Sequence, residues 1–451
     1  MRPEGGQATA CRALARLRHA TIPGSLMKRL SSATHFRGEF VVPGDKSISH
    51  RLALFGALAF GETRIENFSS AADCASTLEC LRGLGVAVAR EGNSVRIQGT
   101  GPVGMRAPSA PLDAGNSGST LRMLAGVVAG RPFRTVLTGD ESLCRRPVER
   151  VAMPLREMGA TASSVGGKPP LTIDGGALRG IRWELPVASA QVKTAVLLAG
   201  LQADGRTTVI EPGPSRDHTE RLLPAFGVAV ERQGLSVSVE GGARLRAASV
   251  TVPGDASSAA FLVVAALTRP DSEVRIDGVL LNPQRIAFLD VLRAMGGQIE
   301  TGLVSSDPEP IGWMVARSSR LTGTVVDPAV VPGLIDEVPA LAVAAAFAHG
   351  EFRLTGAAEL RVKESDRIAA LAEGLTRMGA AIEELPDGLV VRGGRPLHGA
   401  SVRAHADHRI AMALSIAALG ATGETEIEEA ECASISFPEF YSFLARGAGA
   451  R

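Results

Sequence analysis

Six times along the chain a small polar cluster opens an Ala/Leu/Val-rich run of about three helical turns, usually closed by Gly or Pro before a Thr/Val/Ile-type strand. The openings are Lys46-Ser47-Ile48-Ser49, Asn116-Ser117-Gly118-Ser119, Ser189-Ala190-Gln191, Asp255-Ala256-Ser257-Ser258, Asp336-Glu337 and Asp407-His408-Arg409. Counted from Ser47 through the leading residue of each, the steps are 69, 73, 66, 81 and 71 residues. Ser, Asn and Asp cap helix N-termini, where unpaired N–H groups and the positive end of the helix dipole lie. Such ends are ready-made anion sites, and a repeat that places them at equivalent positions predicts that several converge on one anionic ligand.

A second pattern runs between these helices. Leu-x-x-(apolar)-Gly recurs at Leu81 to Gly85, Leu155 to Gly159, Leu223 to Gly227, Leu292 to Gly296 and Leu375 to Gly379, with a degraded copy near Leu444 to Gly449. The spacing Ile368, Leu371, Leu375, Met378 is helical, and the Gly reads as the left-handed residue that ends the helix. Each unit of about 70 residues therefore holds two helices and several strands. Val42-Pro43-Gly44-Asp45 returns as Val252-Pro253-Gly254-Asp255, 210 residues later, with three units inside that interval and three after it. The pattern predicts an α/β (α+β) chain of two similar halves with helices packed on small sheets, joined by crossover strands and a hinge near 43–46 and 252–255. One domain spans 45–253 with repeats 1–3; the other combines 33–44 with 254–451 and holds repeats 4–6.

Composition narrows the partners. Lys plus Arg number 48 against 47 Asp plus Glu, a net charge of +1, so no global field recruits nucleic acid or a membrane surface. One Tyr, two Trp and fourteen Phe make a poor platform for stacking bases. No apolar run reaches the ~18 residues of a membrane span. Five cysteines, odd in number and without metal spacing, read as reduced, buried or incidental thiols of a cytoplasmic protein. His50, His218, His405 and His408 fall in separate repeats, again without metal spacing, and no metal is assigned. Arg2, Arg12, Arg16, Arg18, Lys28 and Arg29 face one acid, Glu4, at the start. Without a secretory-type apolar stretch, and with Met27 as an alternative start, residues 1–32 read as a disordered extension.

The first opening carries the clearest chemistry. Ser47 and Arg51 are four apart on one helix face, with Lys46 beside them at the helix end. Two cations and a hydroxyl there provide for phosphate or carboxylate. This segment resembles the first substrate-binding motif of the 3-phosphoshikimate 1-carboxyvinyltransferases, the 5-enolpyruvylshikimate-3-phosphate synthase family. Later segments agree in order: Gly115-Asn116-Ser117-Gly118-Ser119-Thr120-Leu121-Arg122, Arg145-Arg146-Pro147, Ala188-Ser189-Ala190-Gln191-Val192-Lys193, Arg216-Asp217-His218-Thr219-Glu220, Ile335-Asp336-Glu337, Arg361-Val362-Lys363-Glu364-Ser365-Asp366-Arg367 and Asp407-His408-Arg409-Ile410. The likeness spans about residues 35–446.

The resemblance implies the enolpyruvyl transferase fold, two domains of three βαβαββ-like units each (an inside-out α/β barrel). It implies a monomeric enzyme without metal or organic cofactor that takes phosphoenolpyruvate and shikimate 3-phosphate and releases phosphate in aromatic amino acid biosynthesis. Lys46, Ser47, Arg51, Ser189, Ala190, Gln191, Arg216, Asp336 and Lys363 are implied for shikimate 3-phosphate. Lys46, Asn116, Gly118, Arg146, Gln191, Arg367 and Arg409 are implied for phosphoenolpyruvate. The ligands together carry roughly five to six negative charges, and seven of these side chains are cationic, so the two halves are expected to close when the anions arrive. Asp336 is implied to accept the hydroxyl proton. Glu364 is implied to protonate the methylene, with Lys46 as the alternative carrier. A proton donor needs a raised pKa while neighbouring cations favour the charged form, so burial against the ligands must outweigh them.

Two rivals differ in kind. The related transferase acting on UDP-N-acetylglucosamine has Lys-Asn where Lys46-Ser47 stands, and its reactive Cys lies farther ahead of the Arg-Pro pair than Cys144 does. A non-catalytic anion- or RNA-end-binding repeat protein would need a more basic surface. Ile435, where many family members have Lys, and Arg216, where many have an aromatic residue, resemble the glyphosate-tolerant class II subgroup. Gly118 resembles sensitive members.

Overall fold

The computed structural model describes residues 27–449. The chain divides at Pro43/Gly44 and Val252/Pro253 into two compact units, Gly44–Val252 and residues 27–43 with 253–449. Asp45 and Asp255, just past the two divisions, each cap a helix.

Each unit has three of the six repeat helices at its core: Lys46–Leu58, Gly118–Ala129 and Ala190–Gly200 in the first, Ala256–Thr268, Val338–Phe347 and His408–Ala418 in the second. These helices are apolar nearly all round, as Ala256–Leu267 shows, and a helix of that kind is stable only when covered on every side. Sheets supply the cover. Along the strand Ser94–Thr100, Val95 and Ile97 are buried while Arg96 and Gln98 are exposed, one face to the helices and one to solvent. The helices of repeats 2 and 3 cross so closely that a Cβ on Gly126 would lie 2.0 Å from the Ala195 carbonyl oxygen.

The second repeat displays the unit plainly. Leu112–Asp113, Gly118–Ala129, Arg134–Thr138, Glu149–Glu157, Thr161–Val165 and Lys168–Asp174 run strand, helix, strand, helix, strand, strand, with one short helix (Glu141–Cys144) inserted. The first strand pairs parallel with the second, and the other contacts are antiparallel. All five glycines expected to end a helix have positive φ, from 77° at Gly227 to 111° at Gly159. The α/β class and the repeated unit expected from the sequence are thus present.

The crossovers explain the repeated Val-Pro-Gly-Asp. Arg37–Phe40, ahead of the first copy, pairs parallel with Glu273–Leu280 in the second unit. Ser249–Thr251, ahead of the second copy, pairs parallel with Phe60–Glu66 in the first. Each unit therefore completes one sheet with a strand from a distant part of the chain.

One expectation is corrected. Residues 28–31 fall inside the extension expected to be disordered, yet Lys28–Ser31 is a strand paired antiparallel with Glu424–Ile427. It completes a three-stranded sheet with Ser401–Arg403 and Glu424–Glu428. Residues 1–26 lie outside the described residues. Cys74, Cys80 and Cys432 are free and buried, as expected. Among the described residues no helix is long and apolar enough to cross a membrane.

Candidate active site

Lys46 and Ser47 open the repeat 1 helix, whose cap is Asp45, its Oδ1 accepting from Ile48 N at 2.9 Å. The capping duty falls outside the predicted polar cluster, which leaves Lys46 and Ser47 to other partners. Lys46 Nζ sits 2.8 Å from Asp73 Oδ2 in a largely buried ion pair. Arg51 is only 2% exposed. It donates from Nε to Thr219 Oγ1 at 2.9 Å, from Nη1 to the Ser47 carbonyl at 2.8 Å, and from Nη2 to Thr194 Oγ1 at 2.9 Å and the Ala190 carbonyl at 3.3 Å. Arg51 thereby ties the repeat 1 helix, the start of the repeat 3 helix and the short helix His218–Leu222 together. Arg216 Nη1 reaches Ser47 Oγ at 3.4 Å. Ser189 caps the repeat 3 helix through Val192 N at 3.4 Å.

A second cluster of the same unit surrounds Gly118 at the start of the repeat 2 helix. Ser117, not Asn116, is the cap. Asn116 instead accepts from Arg146 Nη2 at 2.7 Å and donates to Asp140 Oδ2 at 2.7 Å. Gln191 is clamped between Arg122 Nη1, which donates to its Oε1 at 2.8 Å, and Ser119 Oγ, which accepts from its Nε2 at 2.9 Å. A Cβ on Gly118 would stand 2.8 Å from Arg122 Nη1 and 3.6 Å from Arg146 Nη1. The first unit thus gathers Lys46, Arg51, Arg122, Arg146 and Arg216 with amides and hydroxyls, and cationic forks of this kind suit phosphate and carboxylate.

The second unit holds a different arrangement. Arg367, 1% exposed, points its Nε at Asp407 Oδ2 (2.8 Å), its Nη2 at Glu364 Oε2 (2.6 Å) and Asp407 Oδ1 (3.3 Å), and its Nη1 at Asp336 Oδ1 (3.2 Å). Lys363 Nζ and Arg409 Nε approach the same Asp336 oxygen at 3.7 and 3.9 Å, and Arg409 Nη1 donates to the Asp336 carbonyl at 3.0 Å. Burial alone would lower the Arg367 pKa, but Asp407, Glu364 and Asp336 outweigh it and raise it. Arg367 in turn holds the buried Asp407 carboxyl below its ordinary range against desolvation.

Asp336-Glu337 was expected to cap the repeat 5 helix, and here the structure differs. Glu337 occupies the cap position without a side-chain cap bond. It is fully buried and accepts a short hydrogen bond from Ser257 Oγ, which itself accepts from Arg285 Nη2 at 2.9 Å. The other five helix starts are capped by side chains, by Asp45 just ahead of its opening and by Ser117, Ser189, Asp255 and Asp407 within theirs. Asp336 is set among cations instead.

Within each unit the residues expected at the site come together: Lys46, Ser47, Arg51, Ser189, Ala190, Gln191, Arg216, Asn116, Gly118 and Arg146 in one, Asp336, Lys363, Glu364, Arg367 and Arg409 in the other. Asp73, Arg122, Thr194, Thr219 and Asp407 were missed as partners. Arg122, Thr219 and Asp407 stand inside recognised motifs, so their signal was present. Asp73 and Thr194 become visible only when helices pack. Among the described residues no group of three or more His, Cys, Asp or Glu side chains is placed to hold a metal.

Known proteins resemble this chain over nearly its whole length. The model of the family "EPSP synthase (3-phosphoshikimate 1-carboxyvinyltransferase)" matches residues 30–444. The 3-phosphoshikimate 1-carboxyvinyltransferase of Pelotomaculum thermopropionicum is 53% identical over 414 residues, covering 91% of this chain and 96% of that protein. Its counterpart from Brevibacillus brevis is 48% identical, covering 93% and 99%. The solved EPSP synthase from Acinetobacter baumannii superposes with a TM-score of 0.84 at 43% identity, covering 93% of this chain and 98% of that one. The enolpyruvyl transferase NikO from Streptomyces tendae shares the fold at a TM-score of 0.78 and 20% identity, covering 95% and 98%. With nearly its whole length matched, this chain belongs to the EPSP synthase (3-phosphoshikimate 1-carboxyvinyltransferase) family.

Proposed function

We propose that this chain transfers the carboxyvinyl group of phosphoenolpyruvate to the 5-hydroxyl of shikimate 3-phosphate, by addition and then elimination, with the residues above in named roles. The hydroxyl oxygen attacks the central carbon of phosphoenolpyruvate as the methylene gains a proton. The tetrahedral intermediate then expels phosphate while the new methyl group gives that proton back. Lys46, Ser47, Arg51, Ser189, Ala190, Gln191 and Arg216, with Lys363, hold shikimate 3-phosphate. Lys46, Asn116, Gly118, Arg146, Gln191, Arg367 and Arg409 hold phosphoenolpyruvate. Asp336 accepts the hydroxyl proton, and Glu364 or Lys46 carries the methylene proton.

The observation that carries this reading is the placement of Asp336. It is the one repeat opening whose carboxylate is diverted from capping to a group of three cations. Cations that anionic ligands also attract would loosen from Asp336 as the ligands bind, which readies it to take a proton. The deciding experiment measures phosphate release with both substrates together and with each alone; release that needs both supports the reading, and release from phosphoenolpyruvate alone overturns it. Acceptor choice is tested by replacing shikimate 3-phosphate with UDP-N-acetylglucosamine, on which no turnover is expected. Ile435 and Arg216 favour the glyphosate-tolerant class II subgroup, and the balanced charge favours an enzyme that binds no nucleic acid.

A further inference from the structure

Lys193 lies in the first turn of the repeat 3 helix, fully buried. Its Nζ is 2.7 Å from Glu211 Oε2 and 2.6 Å from Glu220 Oε1, and both carboxylates are buried too. The other oxygen of Glu211 accepts from Ser215 Oγ. Among the described residues neither oxygen of Glu220 accepts a hydrogen bond, so the ammonium is what compensates its charge. Two carboxylates and one ammonium in an apolar interior are costly to bury, and nothing in the reaction above uses them.

Their position gives them a use. Glu211 directly follows the strand Arg206–Ile210, and Glu220 belongs to the short helix His218–Leu222, so the pair brackets residues 212–219. That segment carries Arg216, which reaches Ser47 Oγ, and Thr219, which accepts from Arg51 Nε at 2.9 Å and bonds Thr194 Oγ1 at 2.7 Å. One ammonium thus fastens both ends of the segment to the helix that begins with Ser189, Ala190 and Gln191.

We propose that Lys193 is a positioning residue, a buried staple that holds Arg216 and, through Thr219, Arg51 in place and so pre-forms the subsite assigned above to shikimate 3-phosphate. The proposal rests on that assignment. A pre-formed subsite spares the ligand the work of ordering the loop, so losing the staple weakens one substrate selectively. Lys193→Met keeps length and volume but removes the charge. The Michaelis constant for shikimate 3-phosphate should rise about tenfold or more, with that for phosphoenolpyruvate and kcat held within about threefold. The triple variant Lys193→Met, Glu211→Gln, Glu220→Gln leaves no uncompensated carboxylate and should show the same selective rise. Should neither fold, Glu220→Gln, which keeps the Lys193–Glu211 pair, should give a smaller selective rise of about threefold. Arg216→Met is measured alongside. If Arg216→Met raises the shikimate 3-phosphate constant and the staple variants do not, or raise both constants equally, the staple is overturned. If Arg216→Met leaves that constant unchanged, the subsite assignment fails and the proposal falls with it.

Discussion

The two units are built on one plan and equipped for different chemistry. In Gly44–Val252 five cations, Lys46, Arg51, Arg122, Arg146 and Arg216, gather with amides and hydroxyls, and Asp73 is the carboxylate paired with Lys46. In the other unit three cations, Lys363, Arg367 and Arg409, meet three carboxylates, Asp336, Glu364 and Asp407. A cation surplus binds anions, whereas a balanced set can also exchange protons when a ligand takes over some of the charge. On the proposed roles, equivalent repeat positions have diverged from holding toward reacting. The change is visible at single openings: Asp45 and Asp255 cap their helices, while Asp336 does not.

This contrast can be broken by exchanging effects on rate and on affinity. The largest effect is expected for Asp336→Ala, which should lower kcat about 10²- to 10⁴-fold while changing either Michaelis constant far less. A loss confined to affinity would place Asp336 among the holding residues. Arg146→Leu, in the first unit, should do the opposite. It should raise the Michaelis constant for phosphoenolpyruvate about 10- to 100-fold, with a smaller change in kcat, because it removes a charge-assisted donor. Glyphosate sharpens the comparison within the Gly118 cluster. Gly118→Ala sets a methyl group 2.8 Å from Arg122 Nη1, so that side chain must shift. The inhibition constant of glyphosate should then rise more than the Michaelis constant of phosphoenolpyruvate, and equal changes in steady-state inhibition would count against that placement.

Features set by neighbours in sequence were the legible ones. Gly159 and Gly379 end helices because only local backbone geometry decides it, and the capped starts follow from Ser117, Asp255 and Asp407 for the same reason. The site residues were legible through motifs, most of them short runs at or just before a helix start. What escaped was decided by packing between distant segments. Asp73 meets Lys46 across 27 residues, and Arg51 meets Thr219 across 168. Glu337 was open to reading as a cap partner, yet burial beside Ser257, 80 residues away, claims it. The strand at Lys28 escaped because its surroundings are basic and polar, and its partner Glu424–Ile427 lies at the far end of the chain.

The smallest expected effect concerns stability and lies again in the first unit. His50 follows Lys46 by one helical turn, is fully buried, and hydrogen-bonds Thr77 Oγ1 at 2.7 Å through Nδ1. Burial, then Lys46 and Arg51, hold its pKa well below the ordinary 6.5. In the unfolded chain the imidazole binds a proton as pH falls through 6.5, while in the folded chain it stays neutral. The unfolded state then holds more protons, so folding stability is complete above that pH and is lost as pH drops toward the folded-state pKa. One such group contributes at most about 1.4 kcal/mol per pH unit. Asp407 adds a loss of the same sign only at lower pH, since its ordinary value is 3.8 and Arg367 holds it lower still. Denaturant unfolding between pH 7.5 and 5 should therefore show a steeper decline for the natural chain than for His50→Gln, which keeps a partner for Thr77 without a titrating ring. Parallel declines would mean that His50 does not set the acid sensitivity of the first unit.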